Sequence, residues 1–219
     1  MAKPVTAIDD WNALREVAAL GYQDAVLSMA MVATVERSNS PACVGAINDA
    51  KADLATRLVV DALLFRLHIF VTRAFGRVSY KDDRHLRAAI EFLKRQPSLD
   101  GLKSPEDPVR VQRAISNFDA TAVDGRLERL KKMRDKQLAH MASYTEKDRP
   151  TINDLFRLAK ATADIWEDLA IGSATIFVEV DLQLSAYRKS ADRFWCRWDG
   201  VRSFSDDDYE DPSYPASTV

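Results

Sequence analysis

The chain has 219 residues, with 31 Lys and Arg against 33 Asp and Glu, a net charge of −2 that carries no whole-chain signal for nucleic acid. Its 47% hydrophobic and 29% charged content excludes wholesale disorder. Seven glycines and eight prolines leave little material for the turns of a β-sandwich or barrel, and two cysteines exclude a disulfide framework.

The prolines punctuate long stretches of helical periodicity. A first helix is expected from about Asp9 to Arg37, closed by the Ser38-Asn39-Ser40-Pro41 break. A second, read as continuous, runs from Ala42 to Phe75 and ends before Gly76; at about 1.5 Å per residue it would span roughly 50 Å. A third covers Lys81–Arg95, capped from Ser79 and stopped at Gln96-Pro97. A short helix from Pro105 to Asn117 follows, then a fifth from Asp124 to Ala142. The last starts after Pro150 and continues to Trp198 with a kink near Gly172. Its segment ATIFVEV (174–180) is β-branched, but its flanks have helical spacing and it is read as helix. The fold class that emerges is all-α, an antiparallel bundle of five to six helices.

Residues 206–211, DDDYED, hold five acids and no base; without them the rest of the chain carries +3. This run, followed by Pro212 and Pro215, reads as a solvated, disordered tail rather than a cover for a basic cleft. The N-terminus, acidic by Asp9 and without an apolar run, does not read as a signal peptide. No stretch reaches the ~18 uninterrupted apolar residues of a membrane span. Cys43 and Cys196 lie far apart with no CxxC and no histidine pair beside them, so neither zinc nor any other metal or cofactor is expected. Free thiols fit a reducing, cytoplasmic compartment without membrane association.

The segment VDGRLERLKKMRDKQLAH (123–140) is the most basic helix in the chain. Most of its charges are explained as a solvated face with i,i+4 pairs such as Glu128 with Lys132. Arg134 is not. At about 100° per residue, Leu127, Leu130, Leu138 and Met141 all fall within about 40° of it, so Arg134 sits in the helix's own apolar stripe. A guanidinium there must meet an acid, an interface or an anionic ligand. His140 lies roughly 240° round, within converging reach of the long arginine.

RDKQLAH resembles the R-x(4–6)-H signature of HEPN domains, with five intervening residues and a polar residue directly after the arginine. The helical setting, and the Pro-Thr-led helix that follows, look most like the abortive-infection-type members. The resemblance spans residues 5 to about 180; the chain reads as one HEPN-like domain over 1–200, with 201–219 as the acidic tail. It also implies metal-independent RNA cleavage at the interface of a homodimer. Carried onto this chain, Arg134 stabilises charge on the phosphorane, His140 serves as general base or acid, and Asp135 orients one or the other. Lys131, Lys132 and Lys136 would bind the substrate. Histidine, with an ordinary pKa near 6.5, suits either proton-transfer role, and a twofold dimer would bring two copies of the motif together.

The other candidates read more plainly. His68, in LLFRLHIFV, is a satisfied core or interface histidine, and His85, in KDDRHLR, faces solvent. Asp61 pairs with Arg57 at i,i+4, with Arg134 as its alternative partner. FWCRW (194–198) closes the last helix or a dimer contact, with base stacking as the alternative. In some HEPN toxins a tyrosine two residues after the histidine is modified by a nucleotidyltransferase antitoxin; Ala142 stands there, and Tyr144 reads as a surface tyrosine. The expected partners are therefore RNA, a second copy of the chain and, as a candidate, an antitoxin. The alternatives are a catalytically inactive HEPN-fold scaffold that docks such a partner, and an unrelated helical regulatory dimer.

Overall fold

The structure, a computed structural model, describes residues 8–80, 82–99, 107–138, 149–173 and 175–199. Among them there are eight α-helices and no strand: α1 Trp11–Ser38, α2 Pro41–Asp49, α3 Asp53–Ala74, α4 Leu86–Arg95, α5 Asp107–Ala122, α6 Gly125–Met133, α7 Ile152–Gly172 and α8 Val180–Asp199. The all-α expectation holds. The acidic run 206–211 and Tyr144 lie outside the described residues.

There are more helices than expected because two expected helices are each split. Residues 50–52 separate α2 from α3: Lys51 adopts φ 54, and the Ala52 N–H reaches back to the Ile47 carbonyl. That is a left-handed helix stop, made here without the glycine that usually announces it. The ATIFVEV segment is neither helix nor strand over 175–179. Tyr22 Oη donates to the Val178 carbonyl at 2.6 Å, Arg15 Nε donates to the Ser173 carbonyl at 3.4 Å, and Glu167 accepts from the Val180 N–H at 2.8 Å. The last contact caps α8, so α7 ends at Gly172, where a kink was expected, and a new helix starts at Val180. The third expected helix also starts late. Asp83 accepts from the N–H groups of Ser79 and Tyr80, holding a turn that delays α4 to Leu86.

Where capping chemistry is local, starts follow the sequence. Asp10 caps α1, Ser40 caps α2 with Pro41 in the first turn, and Thr151 with Asp154 forms a reciprocal capping box on α7.

One apolar core joins α1, α3, α4, α5, α6, α7 and, through Val180 and Leu184, the start of α8. The most extensive contacts are those of α7 with α5 and of α7 with α1. At the α1–α7 crossing Gly21 lies flat on the Trp166 ring. On the opposite side of α7, buried Asp168 accepts from Arg113 Nε at 2.6 Å and from Arg113 Nη2, tying α5 to α7. Asp24 of α1 ties α3 through Arg66 at 2.5 Å and through Arg73. A smaller core holds Cys43, Ile47 and Trp195, whose Nε1 donates to the Thr34 carbonyl at 3.1 Å. Trp195 is therefore a packing residue that seats α8, not a base-stacking platform.

α1 is long and apolar enough by composition to cross a bilayer, but in this fold it packs on α7 and α8. The first two-thirds of α3 is different: Leu54, Leu58 and Phe65 are 77%, 73% and 49% exposed, beside the exposed Arg57–Asp61 pair.

A Cβ added at Gly21 would meet Trp166 Cε3 at 2.3 Å, far inside contact distance. Gly21→Ala should therefore cost about 1–3 kcal/mol by overpacking, read as a lowered thermal midpoint; an unchanged midpoint would show that the two helices separate freely.

Candidate functional site

α6 is short because its ladder changes type. Arg134–Leu138 form a single π turn directly after Met133. Such turns are rare and concentrate at functional sites, and this one contains the first five residues of the R-x5-H segment. A physical cause lies beneath it. The Arg134 N–H bonds the carbonyls of Leu130 and Lys131. The Leu130 carbonyl also accepts from His68 Nε2 at 2.8 Å, a buried ring on α3. A side chain thus enters the helical ladder just before the π turn, one of the recognised causes of helix distortion. Because a carbonyl only accepts, His68 carries its proton on Nε2. Burial, foremost, and the nearby Arg134 charge lower its pKa, against the carbonyl bond, which favours the charged ring.

Arg134 is less buried than the apolar stripe implies. Leu127 and Leu130 are each 1% exposed, but the Arg134 side chain is 34% exposed. The stripe runs out at the bundle's edge, where a long side chain keeps its head in water. It does meet an acid, though its own neighbour: Arg134 Nε donates to Asp135 Oδ1 at 2.7 Å, and Nη2 stands 2.6 Å from the same oxygen. Asp61 is not that partner. It lies 3.6 Å from Arg57 and is exposed, as the i,i+4 reading expects.

The lysines separate. Lys131 is half-buried, and its Nζ donates to the Phe75 carbonyl at 3.0 Å, on the same side as Arg134. Burial, then the charges of Arg87, Arg134 and Arg77, lower its pKa, with Asp135 opposing. Lys132 turns away to Glu128 at 2.9 Å, and Lys136 is exposed. His140 lies outside the described residues, as does the side chain of Leu138. The structure therefore brings Arg134, Asp135 and Lys131 together. It adds Arg77 and Arg87, two arginines that no local sequence pattern marked.

His85 is a correction. It is buried, 8% exposed, at the start of α4, and neither ring nitrogen has a partner at hydrogen-bond geometry. The helix it precedes turns Leu86, Ala89, Ile90 and Leu93 inward, and the ring follows them. Burial lowers its pKa, with Asp83 the main opposing influence.

Two other features lie outside the R-x5-H segment itself. A cavity of about 540 Å³ opens beside Met133, lined by Phe65, His68, Leu130 and Ile152 among others. On the far side, where α7 meets α8, burial raises the pKa of Asp164 and Glu167, and Tyr22 is pushed up to about 12. There Glu167 serves as the cap of α8.

His68 sets a pH signature. Its folded pKa lies below the unfolded value of about 6.5, so the unfolded chain takes up the proton first as pH falls. The stability that depends on the neutral ring is complete above about pH 6.5 and declines in acid. His68→Gln keeps a donor without titrating. Its thermal midpoint should fall less than that of wild type between about pH 7.5 and 5.5; equal falls would remove His68 from this role.

A HEPN-domain family model, described as AbiU2, matches residues 47–194. No curated protein and no solved structure matches the chain.

Proposed function

Because the chain belongs to the AbiU2 family of HEPN domains, an abortive-infection-type family, we propose that it is a metal-independent endoribonuclease, a toxin or phage-defence effector of a prokaryotic cytoplasm. One observation carries this reading: the motif arginine stands at the surface on a π turn with Asp135 holding its Nε and Nη2 edge. That leaves Nη1 without a partner among the described residues.

The chemistry is transesterification. The RNA 2′-hydroxyl attacks the adjacent phosphorus, the 5′-oxygen leaves, and the products carry a 2′,3′-cyclic phosphate and a 5′-hydroxyl. His140 takes or returns the proton. Arg134 stabilises the charge that builds on the phosphorane oxygens, and Asp135 fixes its orientation. Lys131, Lys132 and Lys136 supply positive charge for the strand.

One imidazole cannot be acid and base in the same step, so the site is completed across a twofold axis by a second copy. The exposed side chains of Leu54, Leu58 and Phe65, with the Arg57–Asp61 pair beside them, support that reading. They lie on the helix that carries His68 beneath the motif. Burying such apolar side chains is the main favourable term in association.

Purified protein incubated with total RNA in EDTA tests the activity. Wild type should cleave, leaving cyclic phosphate ends. His140→Ala should lose about 10²–10⁴-fold in rate with an unchanged melt. Arg134→Ala should also lose cleavage, and its stability should change by no more than about 1 kcal/mol, because the Asp135 pair is solvent-exposed. Undiminished cleavage by His140→Ala would overturn the catalytic assignment. Light scattering should report twice the 24.6 kDa chain mass; a clean monomer at micromolar concentration would remove the composite site.

A further inference from the structure

Lys131 Nζ and Arg87 Nη2 donate to one and the same oxygen, the Phe75 carbonyl, at 3.0 and 3.3 Å. The two cationic nitrogens therefore lie within about 6 Å of each other. Arg87 is held in place from a second direction, its guanidinium 5.3 Å from the centre of the Phe118 ring, which stacks on Phe75. Its buried Nε has no hydrogen-bond partner. Arg77, on the loop between α3 and α4, is exposed, makes no ion pair among the described residues, and is close enough for its charge to be felt at Lys131. Arg134 adds a fourth positive charge. Against these stand Asp135, engaged by Arg134, and Glu91, 4.0 Å from Arg87.

A helix C-terminus attracts cations, and one lysine on the carbonyl of Phe75, the C-cap of α3, would satisfy that. Two cations on one oxygen, with two further arginines beside them, exceed it. Like charges crowded with too few counter-charges are costly unless an anion completes the set. We propose that Arg77, Arg87 and Lys131 form a phosphate-binding subsite for single-stranded RNA, beside Arg134, which holds a phosphate of the strand next to the scissile one. The proposal rests on the ribonuclease reading and deepens it. Arg77 and Arg87 come from a loop and a helix remote in sequence from the motif. Arg87, locked between a carbonyl and an aromatic face, is preorganised for the phosphate.

The test uses the full chain. Binding of a short 5′-labelled single-stranded RNA to the cleavage-dead His140→Ala protein is measured by fluorescence anisotropy across a salt series. Arg77→Gln and Arg87→Gln, each added to that background, should weaken binding several-fold. Each should also flatten the slope of log affinity against log salt by roughly 0.7. In the catalytically competent chain Arg77→Gln should raise KM while leaving kcat. Arg84→Gln removes an exposed arginine of the same loop that instead lines a cavity with Leu20 and Asp24, and should change neither quantity. Arg77 is exposed, so its variant remains decisive if Arg87→Gln melts early. Unchanged affinity and slope in Arg77→Gln, with wild type cleaving RNA, would overturn the subsite alone. Wild type that neither binds nor cleaves RNA would overturn the ribonuclease reading and the subsite with it. Equal weakening by Arg84→Gln would reduce the effect to net charge and overturn the subsite.

Discussion

The bundle depends on how closely α1 and α7 approach. Gly21 has no side chain, and the Trp166 ring occupies the space a Cβ would take. Removing one methyl group's worth of volume at that point lets a large aromatic surface leave water against backbone. α7 then presents two further faces. One carries Asp168 to Arg113 and fastens α5; the other reaches α3 and α6. An aspartate at 4% exposure would be a severe liability alone. Gripped along both oxygens by one guanidinium, it fixes the register of two helices.

The motif hangs from this frame by a narrower support. His68 reaches up from α3 to the Leu130 carbonyl, and the ladder widens into a π turn within the next residues. The imidazole thus lies beneath the motif, bonded to the same Leu130 carbonyl that the Arg134 N–H reaches. A neutral ring suits the place, because a protonated one would sit beside the arginine's own charge in a buried setting. The same geometry sets the lysines apart. Lys131 follows the buried side of α6 into the cation cluster, whereas Lys132 turns to Glu128 on the solvent side.

Legibility varied with how local the physics was. The Ser40-Pro41 start, the helix start after Pro150 and the Glu128–Lys132 and Arg57–Asp61 pairs all depend on residues within four positions of each other. Each was readable. The split at Lys51 was not, because a lysine took the left-handed conformation that glycine normally signals. The α7–α8 break was not, because the groups that pin it, Arg15, Tyr22 and Glu167, come from other helices. His85 looked polar among charged neighbours, yet it follows the apolar face of α4 into the interior.

The sequence by itself determined the helical class, most helix starts, the basic character of α6 and the arginine on its apolar side. All of these follow from periodicity and short-range hydrogen bonding, which need no knowledge of distant residues. Only the tertiary structure decided that the motif winds into a π turn, that Arg134 keeps its head at the surface against Asp135, and that Arg77 and Arg87 stand beside Lys131. The reason is physical: a carbonyl such as that of Phe75 gathers cations from chain segments that meet only when the core has closed.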